Sequence, residues 1–273
     1  MASRQLAHGD REFHRRVDTP PCVDGRHARD LRLDGAFNAR DLGHLPVRGR
    51  RSVRCGSLYR ADALDWLTPD DRHLLFDVLS IGTVIDLRTL REAGGDGRSD
   101  ARLFPAVRTL SIPLIPDREM ELEPFPIGDP AAVAHHYLGY LDDGGVEARL
   151  VLEAIAESID AGTPVLFHCA AGRDRTGVVA ALVLLILGVT KQGVVSDYLE
   201  SNRHAERLAA RLSANPMYQH HERLDTTVVR VDRRAISTFM KLLDARYGGA
   251  REWARTAGIS DAVIDGLTKN LAA

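Results

Sequence analysis

Three absences narrow the field before any motif is read. No apolar run is long enough to cross a bilayer: the longest, Gly177–Val189, stops well short of the roughly 20 residues that a spanning helix needs. The stretch Met1–Arg29 is rich in Arg and His and lacks the apolar core of a signal peptide, and no such core follows Arg15-Arg16. Cysteine is scarce. Cys22, Cys55 and Cys169 are odd in number and not clustered, which argues against a disulfide framework or a zinc site and suits a reducing compartment. Neither sign of charge dominates. Lys and Arg total 36 against 38 Asp and Glu, a net charge of −2, so no global field draws nucleic acid or a membrane surface, and any attraction for phosphate must be local. The expectation is a cytoplasmic protein, with export lacking a recognisable signal left open. No nucleic-acid partner, transmembrane segment, metal or cofactor is expected.

What is present is enough apolar material, 44 % of 273 residues, for a sizeable core. The chain is organised around Pro164–Leu187, PVLFHCAAGRDRTGVVAALVLLIL. Val165, Leu166 and Phe167 after a Pro read as a buried strand. Val178–Leu187 is apolar on nearly every face, the mark of a helix buried all round. Between them runs a loop that begins with Cys169 and ends with Arg175, five residues intervening. A loop leaving a strand and opening a helix aims free backbone N–H groups at one point, where the helix dipole also favours negative charge. Ala170, Ala171 and Gly172 are small enough for Ala170–Asp174 to curl into a nest of phosphoryl size. Gly172 can take a positive φ. At the base of such a nest the Cys169 thiolate is favoured as a nucleophile. Arg175 can grip two phosphoryl oxygens with its planar fork, and the Thr176 hydroxyl can donate to the sulfur.

At these residues the chain resembles the Cys-dependent protein tyrosine phosphatase superfamily, whose signature His-Cys-x5-Arg-Ser/Thr is met by His168, Cys169, Arg175 and Thr176. HCAAGRDRTG is most similar to the bacterial branch of HCxxGKDRTG type, with Arg173 standing where that branch has Lys. The resemblance implies phosphomonoester hydrolysis through a cysteinyl-phosphate. The implied substrates are phosphotyrosine peptides, with tolerance for phosphoserine, phosphothreonine and phosphoinositides. Two alternatives stand beside it: a phosphatase for a small metabolite such as a nucleotide or sugar phosphate, and a non-catalytic phosphate-binding module.

The same resemblance sets Asn38, Arg40, Asp41, Leu42 and Gly43 at an Asn-x-Arg-Asp-Leu-Gly motif, and Arg60 at a strand end where it helps hold the phosphate region. Read from the residues alone, Arg40 and Asp41 form an ion pair pinning a turn, or line the pocket. The donor of a proton to the leaving group is open among Asp86, at the end of the strand Thr83–Leu87, Asp174 in the loop, and Asp117 on a Pro-rich acidic stretch. Further strands are expected over Ser52–Arg60 and Val107–Leu114. Thr68-Pro69-Asp70-Asp71 is a helix start running to about Leu79. Helices are expected over Ala131–Leu141, Val146–Ala161, Thr190–Leu212, Asp232–Arg246, Ala250–Ala257 and Ser260–Leu271. The expected fold is α/β, a mostly parallel central sheet flanked by helices, with a helical C-terminal addition. A flexible segment 1–28 precedes a catalytic domain 29–273, in which 190–231 is a candidate lid.

Overall fold

A computed structural model describes residues 29–49, 51–94, 104–115, 126, 128–142, 145–214 and 225–273. Seven strands occur among them: β1 (Arg40–Asp41), β2 (Pro46–Val47), β3 (Arg51–Ser52), β4 (Leu58–Ala61), β5 (Thr83–Asp86), β6 (Arg108–Ser111) and β7 (Val165–His168). Five form one sheet in the order β1-β4-β7-β5-β6; β2 and β3 make a separate hairpin. β4, β7, β5 and β6 run parallel, and only the edge strand β1 is antiparallel. The sheet is therefore mostly parallel, as the sequence predicts. The expected strand over Ser52–Arg60 is instead two short ones, with Gly56 at φ 73° turning the chain between them.

Parallel sheets are covered on both faces, and the strand residues alternate accordingly. Leu58, Ile85, Val165 and Phe167 join one core; Tyr59, Ala61, Val84 and Leu166 join the other. The larger core is closed by α2 (Pro130–Gly139), α3 (Val146–Asp160), α4 (Arg175–Ile186) and α5 (Lys191–Glu200). It is completed by α8 (Arg233–Tyr247), α9 (Ala250–Thr256) and α10 (Asp261–Leu271). The C-terminal helices thus belong to the main core: Phe239, Trp253 and Leu267 are buried in it. The smaller core lies under α1 (Pro69–Arg72, continued as a π-helical turn over His73–Val78). Thr68 and Asp71 close a capping box at its start, and Asp71 also accepts from the amides of Asp34 and Gly35, tying the incoming chain to the helix.

A 3-10 turn, Ser201–His204, leads from α5 into α6 (Ala205–Ala214), and a short α7 (Thr226–Val229) follows further on. Val194, Val195 and Tyr198 of α5 are buried, so this part of the candidate lid is packed into the core. Asp117 lies outside the described residues, as does the segment 1–28. Cys55 is disulfide-bonded, against the expectation drawn from cysteine number. Cys169 is a free thiol.

α4 is the pillar behind the loop. Val178–Leu184 are all buried, because this helix lies between the sheet and the surrounding helices and has no solvent face. Leu182→Ala is expected to cost about 2–5 kcal/mol, read as a lower urea midpoint with an unchanged denaturant slope.

Candidate active site

β7 is the middle strand of the sheet, and it delivers Cys169 at its carboxyl end between the ends of β4 and β5. In open α/β sheets that end is where ligands bind. The loop 169–174 is shaped from outside. Three of its carbonyls are claimed by neighbours: Ala170 accepts from the Ala63 amide at 3.2 Å, and Ala171 and Gly172 both accept from Asn38 Nδ2 at 3.0 Å. Gly172 also accepts from Arg60 Nη2 at 2.6 Å, and His168 accepts from the Leu87 amide at 2.8 Å. Carbonyls drawn outward leave the amides of a tight loop facing inward, toward Cys169 and the N-terminus of α4.

Gly172 is required on two counts. Its φ is 61°, and a Cβ there would stand 2.6 Å from the Asp62 nitrogen and nearer still to the Ala61 carbonyl oxygen. Thr176 Oγ1 is buried without a protein hydrogen-bond partner. A buried hydroxyl left unpaired is costly, and at the first turn of α4 it is available to the sulfur or to a bound oxyanion.

Arg175 is oriented by a residue that sequence reasoning misses. Glu92 takes its guanidinium with both carboxylate oxygens, Nη2 to Oε1 at 2.7 Å and Nη1 to Oε2 at 2.5 Å. Glu92 is itself locked in a reciprocal pair with Thr89: the Thr89 amide donates to Oε2 at 2.8 Å, and the Glu92 amide donates to Thr89 Oγ1 at 3.2 Å. Thr-x-x-Glu is a capping-box pattern, the one signal that singles Glu92 out within a polar loop.

Arg173 pairs with Asp174 at 2.7 Å and donates to the Val228 carbonyl at 2.7 Å. It therefore joins the loop to α7. Burial pulls the Arg173 charge down, but the Asp174 carboxylate more than offsets it, and the guanidinium is held above its usual range. Asp174 also accepts from the Tyr137 hydroxyl, which shares a 2.7 Å bond with the Tyr198 hydroxyl. Burial and the neighbouring Asp174 charge push both phenols well above their usual range, so they remain donors.

Asp86 sits level with His168 in the register. It is wrapped by Arg88, through the amide at 2.9 Å, Nε at 3.0 Å and Nη2 at 2.8 Å, and lies 4.0 Å from His168 Nε2. Arg88 reaches on to Asp65 at 2.6 Å.

Arg60 is wholly buried behind the loop, between the Gly172 carbonyl and Asp197 Oδ2 at 2.7 Å. Arg40 turns to Asp197 as well, at 3.0 Å, instead of pairing with Asp41. Neighbours on a strand face opposite ways. Asp41 instead accepts from the amides of Gly43 and Gly56, both at 2.7 Å, so it pins a turn away from the loop; burial raises its affinity for a proton.

Asp197 is a hub with no motif around it. Arg29, Arg40 and Arg60 all pair with it, and it is 1 % exposed. Burial alone would raise its pKa; the three arginines reverse that and hold it far below the usual carboxylate range. The apolar stripe Val194, Val195, Tyr198, Leu199 is legible in the sequence, and Asp197 stands on it three residues after Val194. A carboxylate at a core position announces a buried cation. Arg60 titrates lower than usual, at about 10, through burial and the nearby Arg40. Among the described residues no group of three or more His, Cys, Asp or Glu is placed to hold a metal ion.

Asp197→Asn should cost roughly 3–5 kcal/mol at neutral pH, because it strands buried guanidinium charge. The folded value of Asp197 lies below its unfolded value of 3.8. Its contribution is thus complete above the unfolded value and lost as pH falls through the folded one, so the gap between wild type and variant in urea titrations narrows in acid. Gly172→Ala should displace the loop against Ala61, and inorganic phosphate should then no longer protect Cys169 from iodoacetate.

Comparison with known proteins identifies the family. The model of the Tyrosine phosphatase family matches residues 31–273. A protein of Cupriavidus necator assigned as a tyrosine-protein phosphatase is 30 % identical over 236 residues, 86 % of this chain and 85 % of that one. The triple specificity protein phosphatase PtpB of Mycobacterium tuberculosis is 30 % identical over 272 residues, 85 % of this chain and 95 % of that one. A tyrosine-protein phosphatase of Nostoc commune is 28 % identical over 239 residues, 83 % and 78 % of the two chains. With its loop cysteine and arginine in place, the chain belongs to the tyrosine phosphatase family and is a Cys-dependent hydrolase of phosphate monoesters.

Proposed function

We propose that this phosphatase acts on phosphotyrosine in proteins and also accepts phosphoserine, phosphothreonine and phosphoinositides. The observation that supports the chemistry is the outward turn of the loop carbonyls at Ala170, Ala171 and Gly172. It leaves a cup of amides over a free thiol, with Arg175 held ready by Glu92. Breadth is supported by the small side chains of that cup and by the relative named for triple specificity.

In the proposed mechanism the Cys169 sulfur attacks phosphorus in line. The S–P bond forms as the bond from phosphorus to the ester oxygen breaks. The loop amides and Arg175 bind the equatorial oxygens, whose charge grows in the transition state. The leaving oxygen takes a proton from Asp86, whose pair with Arg88 must open for the carboxyl to carry it. This carboxyl lies on the strand beside His168, and its partner Arg88 lines the pocket next to Ala170. Asp174 is committed to Tyr137 and Arg173 and acts as an organiser of the loop. Water then cleaves the S–P bond and releases phosphate, restoring the thiolate.

The test is a panel of phosphopeptides, phosphoinositides and nucleotides. Cys169→Ser should remove turnover of every ester. Asp86→Asn should lower kcat by about 10²–10⁴-fold on alkyl esters, and far less on esters whose leaving group needs no proton. Equal loss on both ester types would exclude Asp86 as donor, and turnover confined to nucleotides would show a metabolite phosphatase instead.

A further inference from the structure

Trp66 is the most exposed large apolar side chain among the described residues, at 51 %, in a chain whose other tryptophan, Trp253, is 1 % exposed. It lies on the loop after β4, at the end of the sheet where β7 delivers Cys169. It lines a small pocket with Asp65, Arg88, Glu92, Ala170 and Arg211. Two of these fix the pocket's place in the reaction. Ala170 follows the nucleophile directly, and Glu92 grips the arginine that binds the phosphoryl oxygens. The pocket itself is too small to enclose an aryl group, so an ester whose phosphorus sits over Cys169 would lay its organic part across the pocket's rim, against the indole.

The indole is presented in a set orientation. The Arg211 guanidinium carbon stands 4.9 Å from the ring centroid of Trp66 and 3.7 Å from that of Phe37. Arg211 is in turn fixed by Asp62 at 2.7 Å and by the Gly35 carbonyl at 2.8 Å. A cation stacked on the indole and tied down by a buried carboxylate keeps the ring from folding away. Leaving a tryptophan half in water beside a reacting centre costs apolar exposure that a surface phosphatase loop does not otherwise require.

We infer that Trp66 is a specificity-determining residue: its ring is the platform for the leaving group, and it favours aryl over alkyl phosphate esters. This rests on the phosphatase reading above. A phenyl ring leaving the phosphoryl group can stack on indole, whereas the short alkyl link of phosphothreonine cannot. The site then accepts many esters through the loop, and ranks them through the tryptophan.

The experiment measures kcat/KM on one peptide carrying phosphotyrosine and on the same peptide carrying phosphothreonine. Trp66→Ala should lower the tyrosine-to-threonine ratio by about tenfold, mostly through KM, and Trp66→Phe should recover most of it. In the Cys169→Ser background, phosphotyrosine should quench intrinsic fluorescence, and Trp66→Phe should remove that quench. Because Trp66 is half exposed, unchanged thermal unfolding of the variants is expected and is checked alongside. An unchanged ratio, with wild type turning over both peptides, would overturn the assignment of Trp66 alone. Wild type inert toward both peptides would overturn the phosphatase reading and this inference with it.

Discussion

A single buried carboxylate, Asp197, carries the architecture of the site. Three guanidinium groups converge on it from Arg29, Arg40 and Arg60. Taking such charges out of water is unfavourable, and the interior offsets the penalty only where geometry and hydrogen bonding are complete. Here they are nearly so, and the completed cluster has a consequence at a distance. Arg60, braced on Asp197, holds the Gly172 carbonyl outward, and Arg40, braced on the same group, donates to the Asn38 side chain and carbonyl. Asn38 then holds Ala171 and Gly172. The loop is braced because a helix behind it supplies one buried carboxylate.

The same matching of charge governs the open side of the loop. The catalytic end of the sheet is crowded with arginine, yet each has its acid: Arg175 has Glu92, Arg173 has Asp174, Arg88 has Asp86 and Asp65, and Arg211 has Asp62. In the proposed mechanism a chain of net charge −2 would attract a dianion through backbone amides and a helix N-terminus, which carry fixed partial charge that cannot be titrated away. Matched cations would keep their orientation through the proposed reaction, so that little reorganisation is needed when charge moves onto the phosphoryl oxygens.

Much of this is legible in the sequence. The loop Cys169–Arg175, the strand before it and the buried helix after it are contiguous, and their chemistry follows from residue type and spacing. The covered parallel sheet is legible because short apolar runs alternate with helical stretches. The charged residues around the loop are not legible in the same way. Adjacency suggests an Arg40–Asp41 pair, but adjacent strand residues point to opposite faces. The resemblance implies that Arg60 helps hold the phosphate region, but not how: its side chain runs behind the loop to Gly172 and Asp197. Glu92 is hidden inside a polar loop, and Asp197 on an apolar helical stripe.

The reactive loop and the alternation of strands with helices can be read along the chain, since both arise from neighbouring residues. Which charges meet depends on how the whole core packs. Arg60 reaches Gly172 across 112 positions and Arg40 reaches Asp197 across 157. No local pattern encodes such pairings, because a buried charge takes whichever partner the packing of the whole core brings within hydrogen-bond reach.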